Sequence, residues 1–248
     1  FNGDSQQYQN VGSHTEYAHL VDKNTLRLKG YSYSGSNYGI ASNIDLTIVV
    51  YDEASIEAKG DYDAINCGAN LTFNGGTAYS DVLTVKSAND RGVYGHNTLT
   101  INGCTLRVTS SNYIPVSAGN FIMNTGSELY AESTYTGTTY SYEPLEANSV
   151  TINGGVLNLT AAPKYGDALS VTNELTIKAG TVTINSPKGK GISISNGNMT
   201  VLGGVVEINV GDDGIYLGSG YLDIQGGDVT VTAAHDCIHL ATSRLNMR

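Results

Sequence analysis

Aspartates recur at one position of a repeating pattern in this chain, and their chemistry is that of metal ligands. All but one stand two residues before a short apolar run, and the exception directly precedes another member of the set. The five residues are Asp63, Asp167, Asp212, Asp213 and Asp236. Carboxylates stacked along one edge of a protein repel each other, so the row needs a counter-charge. Calcium takes six to eight oxygen ligands, and the sequence therefore predicts Ca²⁺ at these aspartates.

Two other interpretations of the aspartates remain open. Lys190 occupies the same position of the pattern between Asp167 and Asp213, and it could neutralise both carboxylates without a metal. Alternatively, each aspartate hydrogen-bonds the backbone of its own corner, as aspartates in turns do.

Tyrosines recur beside the aspartate position and have the chemistry of a sugar-binding surface. Five of them stand two to four residues before an apolar run, and a sixth candidate lies inside a later run. They are Tyr38, Tyr62, Tyr113, Tyr142, Tyr165 and Tyr216. A tyrosine offers an apolar face and a hydroxyl group, which suits stacking against a sugar ring. The alternative is that each ring packs on its neighbours in adjacent repeats.

A repeat of about 23 residues positions these side chains. Leu169, Ile192, Ile215 and Ile238 fall 23 residues apart, and a period in the twenties is typical of a solenoid. Earlier repeats begin less regularly, at Ile40, Ile65, Val93, Val116 and Leu145, after a degenerate one at Leu20. Insertions therefore lie in the first half of the chain, and the longest is residues 132–143. We expect that insertion to project as a loop.

Each repeat contains three short runs in which apolar and polar residues alternate, as at residues 215–217, 222–224 and 229–231. Alternation with period two predicts strands with one buried face. Glycine marks the corner between the second and third runs, at Gly155, Gly180, Gly204 and Gly227. The sequence predicts an all-β fold: a single right-handed parallel β-helix solenoid of about nine to ten rungs, each with three short strands.

The domain organisation follows from the extent of the repeat. Residues 1–15 are polar and unpatterned, which predicts an N-terminal tail or cap, and residues 16–248 form the β-helix domain. The last apolar run, residues 245–247, would leave an open end with unpaired backbone groups. We expect a truncated chain, a further domain or end-to-end self-association at that end.

Charge and composition exclude some classes of partner. The net charge of −10 and the isoelectric point near 4.8 argue against binding to nucleic acid or anionic membranes. No apolar run approaches the roughly 18 residues of a membrane span. Cys67, Cys104 and Cys237 occupy different positions of the repeat, so we expect structural roles rather than a disulfide.

The repeat G-D-x-(G/A/C)-(I/L), followed by L-x-I, a glycine corner and V-x-I, resembles that of a bacterial family of carbohydrate-binding parallel β-helix proteins, first described from a clostridium. Members of this family look like pectate lyases reduced to a binding role. The resemblance covers residues 143–240 well and residues 38–125 loosely. It implies a secreted or cell-surface protein that binds an acidic plant polysaccharide such as polygalacturonate, with Ca²⁺ at Asp167, Asp213, Asp236 and Asp63. Lys190 departs from the aspartate expected in an unbroken calcium ladder.

Three functions therefore stay open. The first is non-catalytic polysaccharide binding, in which Ca²⁺ bridges the carboxylates of an acidic protein and an acidic glycan. The second is catalysis: a calcium-dependent lyase would need a base such as Lys190, and a hydrolase would need two carboxylates flanking the bond. The third is a structural or adhesive surface solenoid without a specific ligand. Binding is the function that the sequence favours.

Overall fold

The computed structural model describes residues 17–76, 81–137, 139–164 and 166–247. The predicted tail, residues 1–15, lies outside the described residues, as does Tyr165. The described residues form strands and turns and no helix, which confirms the all-β prediction. In that part of the chain there is accordingly no helix that could cross a membrane.

Fourteen of the described strands form one sheet, which carries the first and second runs of the rungs. Its strands are β1 (Tyr17–Asp22), β2 (Thr25–Lys29), β4 (Ile40–Ser42), β5 (Leu46–Tyr51), β7 (Ile65–Cys67), β8 (Leu71–Gly75), β10 (Val93–Asn102), β12 (Val116–Met123), β14 (Leu145–Ile152), β16 (Leu169–Ile177), β18 (Ile192–Ile194), β19 (Met199–Val201), β21 (Ile215–Ile224) and β23 (Ile238–Met247).

Nine further strands form a second sheet, which carries the third runs. They are β3 (Ser32–Gly35), β6 (Glu53–Ala58), β9 (Val82–Ser87), β11 (Thr105–Ser110), β13 (Glu128–Ser133), β15 (Val156–Thr160), β17 (Thr181–Ser186), β20 (Val205–Val210) and β22 (Asp228–Ala233). Apart from the antiparallel pair β1 and β2, each pairing between described strands is parallel.

The chain winds as a parallel β-solenoid of about nine turns, and most strands pair in the predicted register. At the N-terminal end Leu26 of β2 pairs with Ile48 rather than with Leu46. Ile215 pairs with Ile192 on one side and with Ile238 on the other, so the repeat of 23 residues is the length of one turn. Earlier turns also align on the predicted residues, since Val93 pairs with both Ile65 and Val116. Each turn therefore places equivalent residues directly above one another.

The rungs differ from the prediction in the number of strands. The first and second runs fuse into one strand in β10, β12, β14, β16, β21 and β23, and they stay separate in the other complete turns. In β10 the two runs are joined by a register irregularity between Gly95 and Thr98 rather than by a full corner. A glycine corner is needed only before the third run, so most rungs have two strands.

Two details of the predicted pattern are wrong, one in β1 and one in β12. Leu20 lies in β1, which pairs antiparallel with β2, so it does not begin a degenerate rung. In β12 the residue that packs in the core is Phe121, whereas Ile122 takes the outward position opposite Thr100. Phe121 is fully buried and pairs with Leu99, so this run begins one residue earlier than expected.

The predicted glycine corners are confirmed by their backbone angles. Gly155, Gly180, Gly204 and Gly227 have φ between 87° and 93°, a conformation that side chains disfavour. The space at the corner is also closed, because a Cβ at Gly204 would lie 2.6 Å from the carbonyl oxygen of Gly180. Each glycine thus lets one rung approach the next at the spacing that strand pairing requires.

The interior consists of stacked apolar residues from all three runs, and most of them are fully buried. A second stack was not predicted: Asn74, Asn102, Asn124 and Asn153 lie above one another at the end of the second run. Their side-chain amides form a chain of hydrogen bonds of 2.9, 2.6 and 2.7 Å. The buried apolar stacks and the amide chain hold the outer corners in fixed positions.

Candidate functional site

The predicted aspartate position forms a single row at the corner that leads into the first run. Backbone hydrogen bonds between successive corners fix the alignment, such as Gly191 N to Asp213 O at 3.0 Å and Gly214 N to Asp236 O at 2.8 Å. We call it the corner row: Asp63, Arg91, Ile114, Glu143, Asp167, Lys190, Asp213 and Asp236. The row brings Asp213 and Asp236 together and leaves Asp63 several rungs away.

Aspartates of the corner row hydrogen-bond the backbone of the following rung. Oδ1 of Asp167 accepts the backbone N–H of Lys190 at 2.9 Å, and Oδ1 of Asp213 accepts that of Asp236 at 3.2 Å. Asp63 does the same for Arg91 at 3.2 Å. The hydrogen-bond interpretation therefore applies, but each bond joins two rungs rather than closing a turn within one.

Asp63 is enclosed by partners of its own. Its side chain is buried, its carboxylate accepts the side-chain amide of Asn66, and it lies 3.6 Å from Nη1 of Arg91. Burial raises the pKa of Asp63, and the nearby Asp90 also raises it, against the lowering effects of Asn66 and Arg91. This carboxylate holds the corner of its rung together and has little room for a metal ion.

Lys190 pairs with Asp212 rather than with the two aspartates that flank it in the row. Its ammonium nitrogen lies 3.7 Å from Oδ2 of Asp212 and 5.3 Å from the ring centroid of Tyr216. The Lys190 side chain was predicted to neutralise Asp167, but it is the backbone N–H of Lys190 that donates a hydrogen bond to that carboxylate. Lys190, Asp212 and Tyr216 thus form one partly exposed group of a cation, an anion and a ring, which we call the C-terminal ledge.

Four side chains meet at the last described corner, and two of them were not predicted. They are Asp213, His235, Asp236 and His239, and one ligand atom from each lies within 4.8 Å of the others. Nδ1 of His235 lies 2.6 Å from Oδ1 of Asp213, and Nδ1 of His239 lies 3.0 Å from its Oδ2. Asp213 is 5% exposed and the His235 side chain 66%, so the group runs from the interior to the surface. We call it the His–Asp cluster.

Hydrogen bonding within the His–Asp cluster favours the charged forms of Asp213 and His235. Burial alone would raise the pKa of Asp213, but hydrogen bonds from His235 and from the Asp236 N–H outweigh it and hold that pKa below its usual value. The hydrogen bond to Asp213 raises the pKa of His235, with the charge of Asp236 adding to the effect. A buried carboxylate is thus kept ionised by imidazoles on the surface side.

The two histidines carried a sequence signal that the repeat reveals once it is in register. His239 pairs with Tyr216 across β21 and β23, so it occupies the outward position of the first run. Its ring contacts that of Tyr216, with centroids 5.1 Å apart. His235 directly precedes Asp236. Together they give the pattern His-Asp-x-x-His across a corner, which points towards metal ligands.

The predicted tyrosine row is divided into separate groups. Tyr38 and Tyr62 form one pair, with centroids 4.8 Å apart and about two fifths of each residue exposed. Tyr113 and Tyr142 form a second group, with ring centroids 5.1 Å apart. Tyr216 belongs to the C-terminal ledge, on a different row. A single continuous tyrosine platform is therefore not present in the part of the chain that the structure describes.

The insertion after β13 folds back onto the second tyrosine group instead of projecting freely. The rings of Tyr135 and Tyr140 lie 4.9 and 5.8 Å from that of Tyr142. Arg91 lies over the ring of Tyr113 at 5.3 Å, which adds a cation to the group. The loop thus builds an aromatic cluster on the N-terminal half of the solenoid.

Glu143 is a corner-row carboxylate that the sequence did not single out. It lies beside this aromatic cluster, and burial raises its pKa to about 7, with the charge of Asp167 acting in the same direction. Its repeat position matches that of the predicted aspartates, which is the signal that could have identified it.

Calcium fits the five predicted aspartates unevenly. Asp63 and Asp213 already give carboxylate oxygens to N–H donors. The donors around Asp213 include two imidazole nitrogens, whereas Ca²⁺ takes oxygen ligands. Asp212 and Asp236 keep side chains that are 40% and 54% exposed and can meet a cation from solvent. Calcium binding stays a prediction, and the His–Asp cluster is a poor site for it.

The fold defines the class as parallel β-solenoid, and sequence comparison adds a family resemblance. The sequence model of a family described as "Carbohydrate-binding domain-containing protein" matches residues 147–247. The match includes the C-terminal ledge and the His–Asp cluster, and it excludes both N-terminal tyrosine groups. It supports the carbohydrate-binding part of the predicted resemblance and does not extend to pectin. No curated protein and no solved structure matches the chain.

Proposed function

We propose that this solenoid is a non-catalytic carbohydrate-binding protein that holds a polysaccharide along the corner of its C-terminal rungs. The observation that carries the proposal is the family match over residues 147–247, which covers the rungs that contain the C-terminal ledge. Tyr216 and its neighbours are therefore the main candidate for the binding surface, and the N-terminal tyrosines are the second candidate.

The composition of the C-terminal ledge suits a sugar ligand. Tyr216 is partly exposed, and tyrosine rings can stack on the apolar face of a pyranose. Lys190 and Asp212 lie beside it and supply a donor and an acceptor for hydroxyl groups. Strand pairing fixes the backbone of Tyr216 on both sides and His239 contacts its ring, so little of the residue needs to be ordered when the ligand binds.

A finer proposal concerns the charge of the glycan. We propose an acidic polysaccharide such as polygalacturonate, with a divalent cation such as Ca²⁺ bridging its carboxylates to the exposed carboxylates of Asp212 and Asp236. Without such a bridge, a protein with a net charge of −10 repels an acidic polymer. Lys190 offers a second route, since its ammonium group can pair directly with a uronate.

Affinity electrophoresis tests both levels of the proposal. The full chain is run in gels that contain polygalacturonate or a neutral plant glycan, each with Ca²⁺ or with EDTA. Retardation by polygalacturonate that EDTA abolishes is expected. Retardation only by the neutral glycan would overturn the acidic proposal, and equal retardation with EDTA would overturn cation bridging. Migration unchanged in every gel would contradict carbohydrate binding at this level of affinity.

A pair of tyrosine variants locates the site. Tyr216→Ala should weaken binding by about 2–12-fold, since an aromatic contact contributes about 0.5–1.5 kcal/mol. Tyr221→Ala is the matched control, because Tyr221 lies in the same strand, is 45% exposed and is outside the ledge. Equal loss in both variants, or loss only in the control, would place the ligand elsewhere.

A further inference from the structure

We propose that Asp213, His235, Asp236 and His239 form a binding site for a divalent transition-metal ion of the Zn²⁺ class. The site lies where the corner row meets the outward row of β21 and β23. It shares Asp236 with the proposed calcium bridge, but it differs from a calcium ladder because two of its four donors are imidazole nitrogens. It does not depend on carbohydrate binding.

The spacing of the donor atoms suits a small ion. Zinc binds nitrogen and oxygen at about 2.0–2.2 Å, and a tetrahedron with such bonds has ligand atoms about 3.3–3.5 Å apart. Nδ1 of His235 lies 2.6 Å from Oδ1 of Asp213 and 3.7 Å from Oδ2 of Asp236. Nδ1 of His239 lies 3.0 Å from Oδ2 of Asp213 and 3.4 Å from Oδ2 of Asp236. The two longer distances lie within about 0.2 Å of that range, and the shorter ones need to open by less than about 1 Å.

His239 provides an independent indication of a ligand. Its Nδ1 atom is shielded from solvent and makes no hydrogen bond of acceptable geometry, although two carboxylate oxygens lie within 3.4 Å. A buried polar atom without a hydrogen bond is costly, so native proteins rarely leave one. A cation held between this nitrogen and the two carboxylates would satisfy the atom and balance the charge of Asp213 and Asp236.

The donor set selects the class of metal. Two imidazoles and two carboxylates are borderline ligands that suit Zn²⁺ and neighbouring transition metals. Calcium and magnesium prefer sites made of oxygen, with six or more ligands for calcium. On Zn²⁺ binding the metal would replace the proton that Nδ1 of His235 shares with Asp213, as happens when imidazoles become ligands.

Backbone hydrogen bonds and strand pairing hold the four donor residues in place. Asp236 is bound on both sides, because its N–H donates to Oδ1 of Asp213 and its carbonyl accepts from Gly214 N at 2.8 Å. His239 is paired in register with Tyr216, whose ring contacts the imidazole edge-on. The carbonyl of Asp213 accepts from Gly191 N at 3.0 Å, and His235, the most exposed of the four, donates its backbone N–H to the Asp212 carbonyl at 3.4 Å. A site that is organised before binding loses less entropy when the ion arrives.

Cys237 is an exposed thiol between the two histidines in the sequence, so it has to be removed before Zn²⁺ binding is measured. Thiolates bind Zn²⁺ strongly and could produce binding without the proposed site. The experiment therefore uses the full chain with Cys237→Ser as its reference protein. The other two cysteines are buried.

Isothermal titration of the chelator-treated reference protein with ZnCl₂ and, separately, with CaCl₂ tests the proposal. One Zn²⁺ per chain is expected, bound at least about 100-fold more tightly than Ca²⁺. Co²⁺ should give the intense visible absorption of a tetrahedral site when it replaces Zn²⁺. Absence of Zn²⁺ binding, or Ca²⁺ binding of equal strength, would overturn the proposal.

Variants of the histidines identify the ligands. His239→Gln and His235→Gln should each weaken Zn²⁺ by at least about tenfold and abolish the Co²⁺ absorption. His96→Gln is the control, since His96 is exposed and contacts Tyr94 without belonging to the cluster. Thermal unfolding of the metal-free variants checks that each is folded. Unchanged Zn²⁺ binding in both cluster variants would contradict the assignment.

Discussion

The backbone N–H of Lys190 donates a hydrogen bond of 2.9 Å to the carboxylate of Asp167, one rung earlier. The same relation links Asp63 to Arg91 and Asp213 to Asp236. Corner aspartates thus add side-chain links between consecutive turns of the solenoid, beside backbone hydrogen bonds such as that from Gly191 N to Asp213 O. They have a structural role whether or not a cation binds there.

Removal of the Asp167 carboxylate should destabilise the protein. Asp167→Ala leaves the Lys190 N–H without its acceptor, and the free energy of unfolding should fall by about 1–2 kcal/mol. Asp167→Asn keeps an acceptor oxygen and should cost less. Denaturant unfolding in EDTA measures both values. As a control, Asp228→Ala changes an exposed carboxylate and should stay within about 0.5 kcal/mol of the parent. Equal effects at Asp167 and Asp228 would contradict this role.

Substitution of the corner glycine Gly204 should lower the free energy of unfolding more than substitution of a glycine that also has a positive φ but has room for a Cβ atom. Gly204→Ala adds a Cβ at φ 91° that lies 2.6 Å from the Gly180 carbonyl oxygen. We expect a loss of about 2–4 kcal/mol. Gly103 has φ 64°, and a Cβ there would meet nothing within 4 Å, so Gly103→Ala should cost about 1 kcal/mol. Thermal or denaturant unfolding compares the two, and a reversed order would be inconsistent with close packing of the rungs.

Glu143 should make stability fall as pH rises through neutrality. Burial raises its pKa in the folded protein to about 7, above its ordinary value of 4.5. The folded state then binds more protons than the unfolded state between these values, so its contribution is present below about pH 4.5 and lost as pH rises through about 7. The free energy of unfolding should fall by about 1–3 kcal/mol across this window because of Glu143.

Glu143→Gln tests this dependence, since the amide does not titrate in the window. The variant should lose the Glu143 part of the slope and gain stability relative to the parent at about pH 8. Glu174→Gln serves as the matched control, because Glu174 is exposed on β16 and should leave the slope unchanged. A parent and a Glu143→Gln variant with identical pH profiles would show that Glu143 titrates as an exposed carboxyl group.

The lyase alternative predicts a product that the binding account does not. A general base must have a free lone pair to take the proton beside the uronate carboxyl group. The Lys190 ammonium is instead paired with Asp212 at 3.7 Å. We expect no ultraviolet absorbance from unsaturated product when the protein meets polygalacturonate and Ca²⁺. Product that forms with the parent and is lost in Lys190→Met would favour the enzyme.

Most of the fold could be predicted because the sequence states it directly. Alternation fixes which side chains face inward, and the spacing of Ile192, Ile215 and Ile238 fixes the register of their strands. The misplaced residues have local causes. Leu20 has the alternation of a strand but no neighbouring repeat to specify parallel pairing, and Phe121 begins its run one residue before the expected position.

The site was less predictable, because side-chain partners depend on reach across rungs. Asp213 and Asp236 were predicted from their repeat position, yet the donors that face them are imidazoles from the same corner. Lys190 is adjacent to Asp167 and Asp213 in the row, but its long side chain reaches Asp212 instead. A repeat predicts the rung to which each residue belongs and whether its side chain points inward or outward. It does not predict the direction in which a long, flexible side chain extends.

Amide hydrogen exchange of the full chain, with and without the glycan that retards it in gels, tests the central claim most directly. The account predicts slower exchange in the corners and first runs around Lys190, Asp212 and Tyr216, in β18 and β21, with little change around Tyr38 and Tyr62. Protection confined to the N-terminal tyrosine groups would contradict binding at the C-terminal ledge.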